Sequence, residues 1–286
     1  MFVFKTVKEL QYFLATVTPS GIGFVPTMGA LHQGHISLIE KSQQQNELTV
    51  CSIFVNPTQF NKQEDLINYP RNVSADIELL QCLDCDNEEK RVVLFLPSEN
   101  EIYPKKIEKS YDFGNLSLVM EAQHRPGHFN GVAMVIERFF SIINPTNAYF
   151  GEKDFQQLAV VRNLVKQLRL PVQIIGCPIV REANGLAMSS RNERLTPEQK
   201  EQAANIYKFL LDAKQQAKTL TVGEVKNNFI SAIKNIPVLQ LEYLEIADGN
   251  TLLSINDWSE INYCVAFVAV FVGNVRLIDN VTLYKD

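Results

Sequence analysis

The chain has no apolar run long enough to cross a bilayer. A membrane-spanning helix needs about 20 apolar residues; the most apolar stretch, Tyr263 to Val272, is much shorter and, rich in Val, Phe and Ala, reads as a buried strand. The opening Met1-Phe-Val-Phe-Lys5 lacks a basic region followed by a long apolar core, so no secretory signal is expected there. A surplus of positive charge is also missing. The net charge of −5 leaves no sequence-independent grip on nucleic acid. The five cysteines are an odd number without framework spacing, which predicts reduced thiols and a cytoplasmic setting. Cys82-Leu-Asp-Cys85 has CxxC spacing, but it lies where a helix gives way to Asp-Asn-Glu-Glu-Lys, so a redox role does not fit. Neither common phosphate loop is present: nothing matches GxxxxGK, and Gly21-Ile-Gly23 is followed by Phe and Val instead of completing GxGxxG. Histidine is scarce, and its four copies fall in two close pairs, His32 with His35 and His124 with His128, each in a Gly-containing segment.

What is present is ordinary globular material: 46% hydrophobic and 21% charged residues over 286 positions, enough for one large domain or two smaller ones. The first part alternates. Helix-like runs at 6–17, 35–46, 74–83, 129–143 and 154–168 separate strand-like runs at 22–25, 48–55, 91–96, 148–150 and 172–175. Strands separated by helices predict a parallel sheet covered on both faces, with ligands at the carboxyl ends of the strands. After Pro178 the order changes. Thr196-Pro-Glu-Gln199 is a capped helix start, a second helix covers 222–234, and strands at 241–246, 264–272 and 275–278 close the chain. The fold class is therefore α/β, with a parallel-sheet domain over residues 1–178 and a smaller α+β domain over 179–286.

The chemistry-bearing residues cluster where predicted strands end. In Pro26-Thr-Met-Gly-Ala-Leu-His32-Gln-Gly-His35 a strand turns into a helix, where backbone N–H groups and the helix dipole favour an anion and imidazoles can donate to phosphate oxygens. A zinc site would need further ligands, and no spacing supplies them clearly. Asn56 and Gln59, in Phe54-Val-Asn-Pro-Thr-Gln-Phe60, offer uncharged amides to hydroxyl and carboxylate groups. Lys153 projects a cation at a helix N-terminus, where an anionic ligand would account for it. Ser189, Ser190 and Arg191 place two hydroxyls and a guanidinium in a row, and Arg125-Pro-Gly-His128 adds another cation and donor.

PTMGALHQGHISL, FVNPTQF, RPGHFNGV, GEKDFQQ and MSSRN, in this order and spacing, resemble the motifs of the pantoate–β-alanine ligase (pantothenate synthetase) family over essentially the whole chain. The resemblance implies a HIGH-type nucleotidyltransferase, a relative of class I aminoacyl-tRNA synthetases, with a Rossmann-like N-terminal domain, a smaller C-terminal domain and a cytoplasmic homodimer. The place of Met188-Ser-Ser-Arg191 beside the domain boundary suggests that the C-terminal domain could act as a lid over ATP. It implies condensation of pantoate with β-alanine through pantoyl adenylate, giving pantothenate, AMP and pyrophosphate, with ATP as substrate and Mg²⁺ bridging phosphates. By motif, the ATP site is Met28, Gly29, Ala30, Leu31, His32, Gln33, Gly34, His35, Gly151, Glu152, Lys153, Asp154, Val180, Met188, Ser189, Ser190 and Arg191. His35 matches the proton donor, and His32, Lys153, Ser189 and Arg191 complete the catalytic donors and cations. Gln59, Gln157, Asn56 and Arg125 match pantoate positions, Gln59 also a β-alanine contact, and Asp76 an Mg²⁺-associated acid. Cys82–Lys90 reads as a surface insertion, and His124 carries no expected role. The alternative is a related nucleotidyltransferase acting on a phosphate-bearing alcohol, which leaves the amides of Gln59 and Gln157 unexplained. A tRNA-charging enzyme does not fit the acidic charge.

Overall fold

Thr6 starts the first helix: its hydroxyl accepts from the Glu9 N–H, and the Glu9 carboxylate reaches back to the Thr6 N–H. Similar side-chain caps at Thr196 and Thr221 start the two long helices of the C-terminal region. The computed structural model describes residues 1–61, 63–85, 91–105 and 109–285. Most of the expected insertion at Cys82–Lys90 falls on residues 86–90, outside the described residues. The described residues divide into two compact units. The first comprises Met1–Phe113, Arg125–Glu152 and Gln157–Pro178, and the second Gly114–His124, Lys153–Gln156 and Ile179–Asp286. Gly114–His124 and Lys153–Gln156 thus group with the second unit although they lie within residues 1–178.

The first unit is built on six strands, β1 (Phe2–Phe4), β2 (Ile22–Thr27), β3 (Leu48–Ile53), β4 (Arg91–Phe95), β5 (Asn147–Gly151) and β6 (Gln173–Cys177). Their order is β1-β4-β3-β2-β5-β6, and every pairing is parallel. All six residues of β3 are buried, as a central strand covered on both faces requires. Side chains alternate between those faces. Val25, Cys51, Ile53, Val92 and Leu94 join Ile36, Ile39 and Leu80, from α2 (Gln33–Gln45) and α4 (Val73–Cys85), in one core layer. α3 (Gln63–Ile67) is a short exposed helix between them in sequence. On the opposite face Phe24 and Phe95 meet Phe139 of α7 (His128–Ile143) at ring-centroid distances of 5.3 and 6.2 Å. α1 (Val7–Val17) packs on α7, and α5 (Glu99–Ile102) also reaches it, the Arg138 guanidinium donating to the Ile102 carbonyl at 3.0 Å. Strands run outward from β2 in one direction and from β5 in the other. Their carboxyl ends therefore flank the switch point where such sheets bind ligands.

In the second unit α6 (Glu121–His124) is a single turn, and the start of α8 (Phe155–Leu168) belongs here while its remainder belongs to the first unit. α9 (Pro197–Gln216) and α10 (Val222–Lys234) cover an antiparallel sheet of β7 (Leu239–Asp248), β8 (Tyr263–Val272) and β9 (Val275–Lys285). Ile206, Leu210, Val225 and Phe229 face Ile246, Val268, Val270 and Leu277 across its core. The α/β class, with a parallel sheet followed by helices and antiparallel strands, is the one the alternation predicts. No helix among the described residues is long and apolar enough to cross a membrane. Cys51, Cys82, Cys177 and Cys264 are free thiols.

Candidate active site

The turn after β2 is held in a conformation that most residues avoid. Gly29 and Ala30 both lie in the left-handed region, at φ 80° and 48°. The second is costly for a residue with a Cβ. Asp76, on α4, holds this shape. Its Oδ2 accepts from the Ala30 N–H at 3.0 Å and its Oδ1 from the Leu31 N–H at 2.7 Å. A Cβ at Gly29 would lie 3.1 Å from that carboxylate and 3.0 Å from Ile53, so the turn closes tightly only with glycine. Burial raises the Asp76 carboxyl above the usual range, while the two backbone N–H bonds oppose the shift.

The turn delivers two histidines to the start of α2. His32 is the N-cap, its Nδ1 accepting from the Gly34 N–H at 3.1 Å. His35 Nδ1 accepts in turn from the His32 N–H at 3.3 Å, and the two rings lie 4.1 Å apart. A backbone N–H only donates, so each Nδ1 must offer a lone pair, and the neutral rings carry their protons on Nε2. The result is two imidazole donors at the positive end of a helix.

After β3, Asn56 is nearly inaccessible (1% exposed) and its amide is fully occupied. Oδ1 accepts from the Thr58 hydroxyl and the Tyr103 hydroxyl, each at 3.0 Å. Nδ2 donates to the Gly131 carbonyl at 3.1 Å and to Gln59 Oε1 at 3.3 Å. Gln59 Nε2 faces Met28 Sδ at 2.9 Å, which joins the β2 and β3 turns. The N-terminal half of α7 clamps this turn from below. His128 Nδ1 lies 2.8 Å from the Gln59 carbonyl, and a Cβ at Gly131 would overlap the Thr58 carbonyl. Arg125 precedes the clamp and is half-buried.

Gly151 ends β5, and Glu152 follows it. Of the two adjacent glutamines on α8, Gln156 is buried and spent: Oε1 accepts from the Glu121 N–H, and Nε2 donates to the Leu116 and Val119 carbonyls. Gln157 is half-buried and makes no side-chain hydrogen bond among the described residues.

The remaining predicted residues lie in the second unit. Lys153 Nζ sits 3.6 Å from Asp154, and its carbonyl accepts from Asn280 at 3.1 Å. Val180 and Met188 face each other across a short hairpin, the Met188 N–H donating to the Val180 carbonyl at 3.0 Å. Gly185, at φ +96°, makes its turn. Arg181 braces the hairpin, donating to the two Asp279 oxygens at 2.7 and 2.9 Å with its guanidinium 3.5 Å over the Tyr207 ring. Ser189 caps the 3₁₀ turn 190–194 by accepting from the Arg191 N–H. Asn192 ties that turn to Glu182 and to the Ala187 carbonyl. Among the described residues no group of three His, Cys, Asp or Glu side chains could hold a metal ion.

Sequence reasoning missed Tyr103, Thr58 and Gly131. A glycine inside the helical pattern of FNGV is the one available signal, since it marks a close backbone approach.

A family model described as pantoate-beta-alanine ligase matches residues 2–282. The pantothenate synthetase of Azobacteroides pseudotrichonymphae genomovar. CFP2 is 50% identical over 284 residues, covering 99% of this chain and 100% of that protein. The crystal structure of pantothenate synthetase from Thermus thermophilus superposes with a TM-score of 0.91 at 41% identity, over 100% of both chains. That of pantoate-beta-alanine ligase from Francisella tularensis, complexed with beta-gamma ATP and beta-alanine, gives 0.81 at 36% identity, over 99% of this chain and 98% of the other.

Proposed function

Because this chain belongs to the pantoate–β-alanine ligase family, we propose that it joins pantoate to β-alanine with ATP, through pantoyl adenylate. A pantoate carboxylate oxygen attacks the α-phosphorus, the α–β bridging P–O bond breaks, and pyrophosphate leaves. The β-alanine nitrogen then attacks the pantoyl carbonyl carbon, and the acyl–oxygen bond breaks. AMP leaves with the electron pair, and the nitrogen releases its extra proton. The carboxylate is already ionised, so the first step needs alignment and charge neutralisation more than a base.

The observation that carries this reading is the reciprocal histidine cap. With both Nδ1 atoms accepting backbone N–H groups, His32 and His35 offer Nε2–H donors at the helix terminus, which suits phosphate oxygens gaining charge. In this reading residues 28–35, with Gly151 and Glu152, receive ATP, and His35 acts as proton donor. Val180, Lys153, Asp154 and Met188 to Arg191 of the second unit also serve ATP. Gln59 and Gln157 hold pantoate, helped by Arg125, and Gln59 also contacts β-alanine. Asn56 serves by position, since its amide has no capacity left. Mg²⁺ is held mainly by the ATP phosphates, with Asp76 as the associated acid: each of its oxygens accepts one backbone N–H and keeps a further lone pair. The enzyme works as a homodimer in the cytoplasm.

The test is pyrophosphate release from purified protein with ATP, with and without pantoate and β-alanine. Wild type should release pyrophosphate only with pantoate and form the amide only with β-alanine. His35→Asn retains an acceptor near the Nδ1 position but lacks the Nε2 donor. It should lose about 10²–10³-fold in kcat with its melting temperature nearly unchanged. A stable nucleotidyl product without amide would move the assignment to a nucleotidyltransferase acting on a phosphate-bearing alcohol. No pantoate dependence would sink the ligase reading.

A further inference from the structure

We propose that the Gly131 carbonyl, Asn56, Thr58 and Tyr103 form a relay that fixes which end of the Gln59 amide faces the substrate, so that Tyr103 and Asn56 are positioning residues for recognition of the acid. The inference rests on the ligase reading, in which Gln59 touches pantoate and β-alanine.

An amide's oxygen and nitrogen are alike in size, so only its partners decide which way it points. Here the decision starts at a group that cannot be reversed. The Gly131 carbonyl can only accept, so the Asn56 atom 3.1 Å from it is Nδ2. The opposite end, Oδ1, then faces two hydroxyls able to donate, Thr58 and Tyr103, each at 3.0 Å. The second Nδ2 hydrogen points to Gln59 at 3.3 Å, so the Gln59 atom there must accept and is Oε1. Gln59 is thereby turned with Nε2 toward Met28 Sδ, a weak acceptor that a ligand oxygen can replace. The carbonyl that starts the relay is itself fixed, because α7 meets the turn backbone to backbone where a Cβ on Gly131 would overlap Thr58.

The consequence is a defined polarity. Gln59 shows its ligand an N–H donor, which receives a carboxylate or hydroxyl oxygen and turns away an ammonium group. Without the relay the amide could flip and present an acceptor instead. Tyr103 donates the bond that holds Asn56 in register from α5's end, although it touches no substrate-facing group itself.

The experiment compares Asn56→Asp and Tyr103→Phe with wild type in full-length protein, measuring KM for pantoate, KM for ATP, kcat and melting temperature. At neutral pH an ionised aspartate at position 56 can only accept, so Gln59 turns its Nε2 toward it and shows the substrate an acceptor. The pantoate KM of Asn56→Asp should rise about tenfold, the equivalent of one lost hydrogen bond to a charged group, with the ATP KM little changed. Lowering the pH should protonate the new carboxyl, restore an O–H donor and shrink the ratio of variant to wild-type KM. Tyr103→Phe should raise the same KM about threefold at nearly constant melting temperature. If Asn56→Asp fails to fold, Tyr103→Phe decides alone. An unshifted pantoate KM, or pantoate KM, ATP KM, kcat and melting temperature moving together, overturns the relay. Wild type inactive with pantoate overturns the ligase reading and the inference with it, whereas active wild type with unshifted variants overturns the relay alone.

Discussion

Three histidines of the first unit are sorted by what their Nδ1 atoms meet. His32 and His35 face backbone N–H groups and accept, while His128 faces the Gln59 carbonyl and donates. Asp76 is sorted in the same way, since its oxygens take the two N–H groups that the left-handed Ala30 leaves pointing inward. Its titration gives a prediction. Burial holds the folded carboxyl above the ordinary 3.8, so the folded chain keeps this proton to higher pH than the unfolded chain. Between the two values the folded state binds more protons, and stability falls as pH rises. The contribution is complete below 3.8 and is lost as pH climbs through the folded value. Asp76→Asn removes it. In paired thermal melts the margin of wild type over Asp76→Asn should narrow as pH rises above 3.8. A margin that widens would mean the two N–H bonds outweigh burial.

At the scale of elements, Gly131 decides how closely α7 can approach the turn after β3. Gly131→Ala gains helix propensity but drives a methyl group into the Thr58 carbonyl. Overpacking of this kind costs about 1–3 kcal/mol, against about 1 kcal/mol of propensity gained. A lowered denaturation midpoint with an unchanged slope, together with a raised pantoate KM, is the expected result. An unchanged midpoint would show that the turn yields. This contact was not legible in the sequence, because it joins residues more than seventy positions apart through backbone atoms that every residue shares. What was legible had local causes. The helix at 222–234 begins at a Thr cap with Glu three residues on, and it forms as predicted. β2 runs two residues past the predicted Val25 because Pro26 and Thr27 stay in register with Ser52 and Ile53 of β3. β9 runs beyond Ile278 because Asp279 and Asn280, which read as a strand end, are buried against Arg181 and the Lys153 carbonyl. β1 escaped notice because it has only three residues and pairs only with β4. The proposal of anion sites at the donor-rich turns 28–35 and 188–191 rests on residue type alone. That Gln157 is open while Gln156 is spent could not be read that way, since the difference lies in distant carbonyls at Leu116 and Val119.

Over the whole molecule the chain passes between its two units at 113/114, 124/125, 152/153, 156/157 and 178/179. Gly114–His124 belongs with the C-terminal sheet through chemistry as well as proximity. Glu121 takes two hydrogen bonds from Arg276 at 2.7 and 2.8 Å and one from the Tyr243 hydroxyl at 2.8 Å. Cutting the chain at Pro178 would strip the Glu121 carboxylate of all three bonds. Removing one side of such a pair costs about 3–5 kcal/mol when the remaining charge stays buried. A fragment of residues 1–178 should therefore melt well below the full chain and exchange its amides fast over 114–124. A fragment that melts like the full chain would show that those contacts contribute little.

The paired histidine cap also sets a rule for molecules designed to occupy this turn. Both rings are obliged by the backbone to present hydrogen, so a competitor succeeds there by offering lone pairs. Sulfonyl, phosphonate and acyl-sulfamate groups meet that demand. A basic amine, whatever its shape, arrives with hydrogens facing hydrogens.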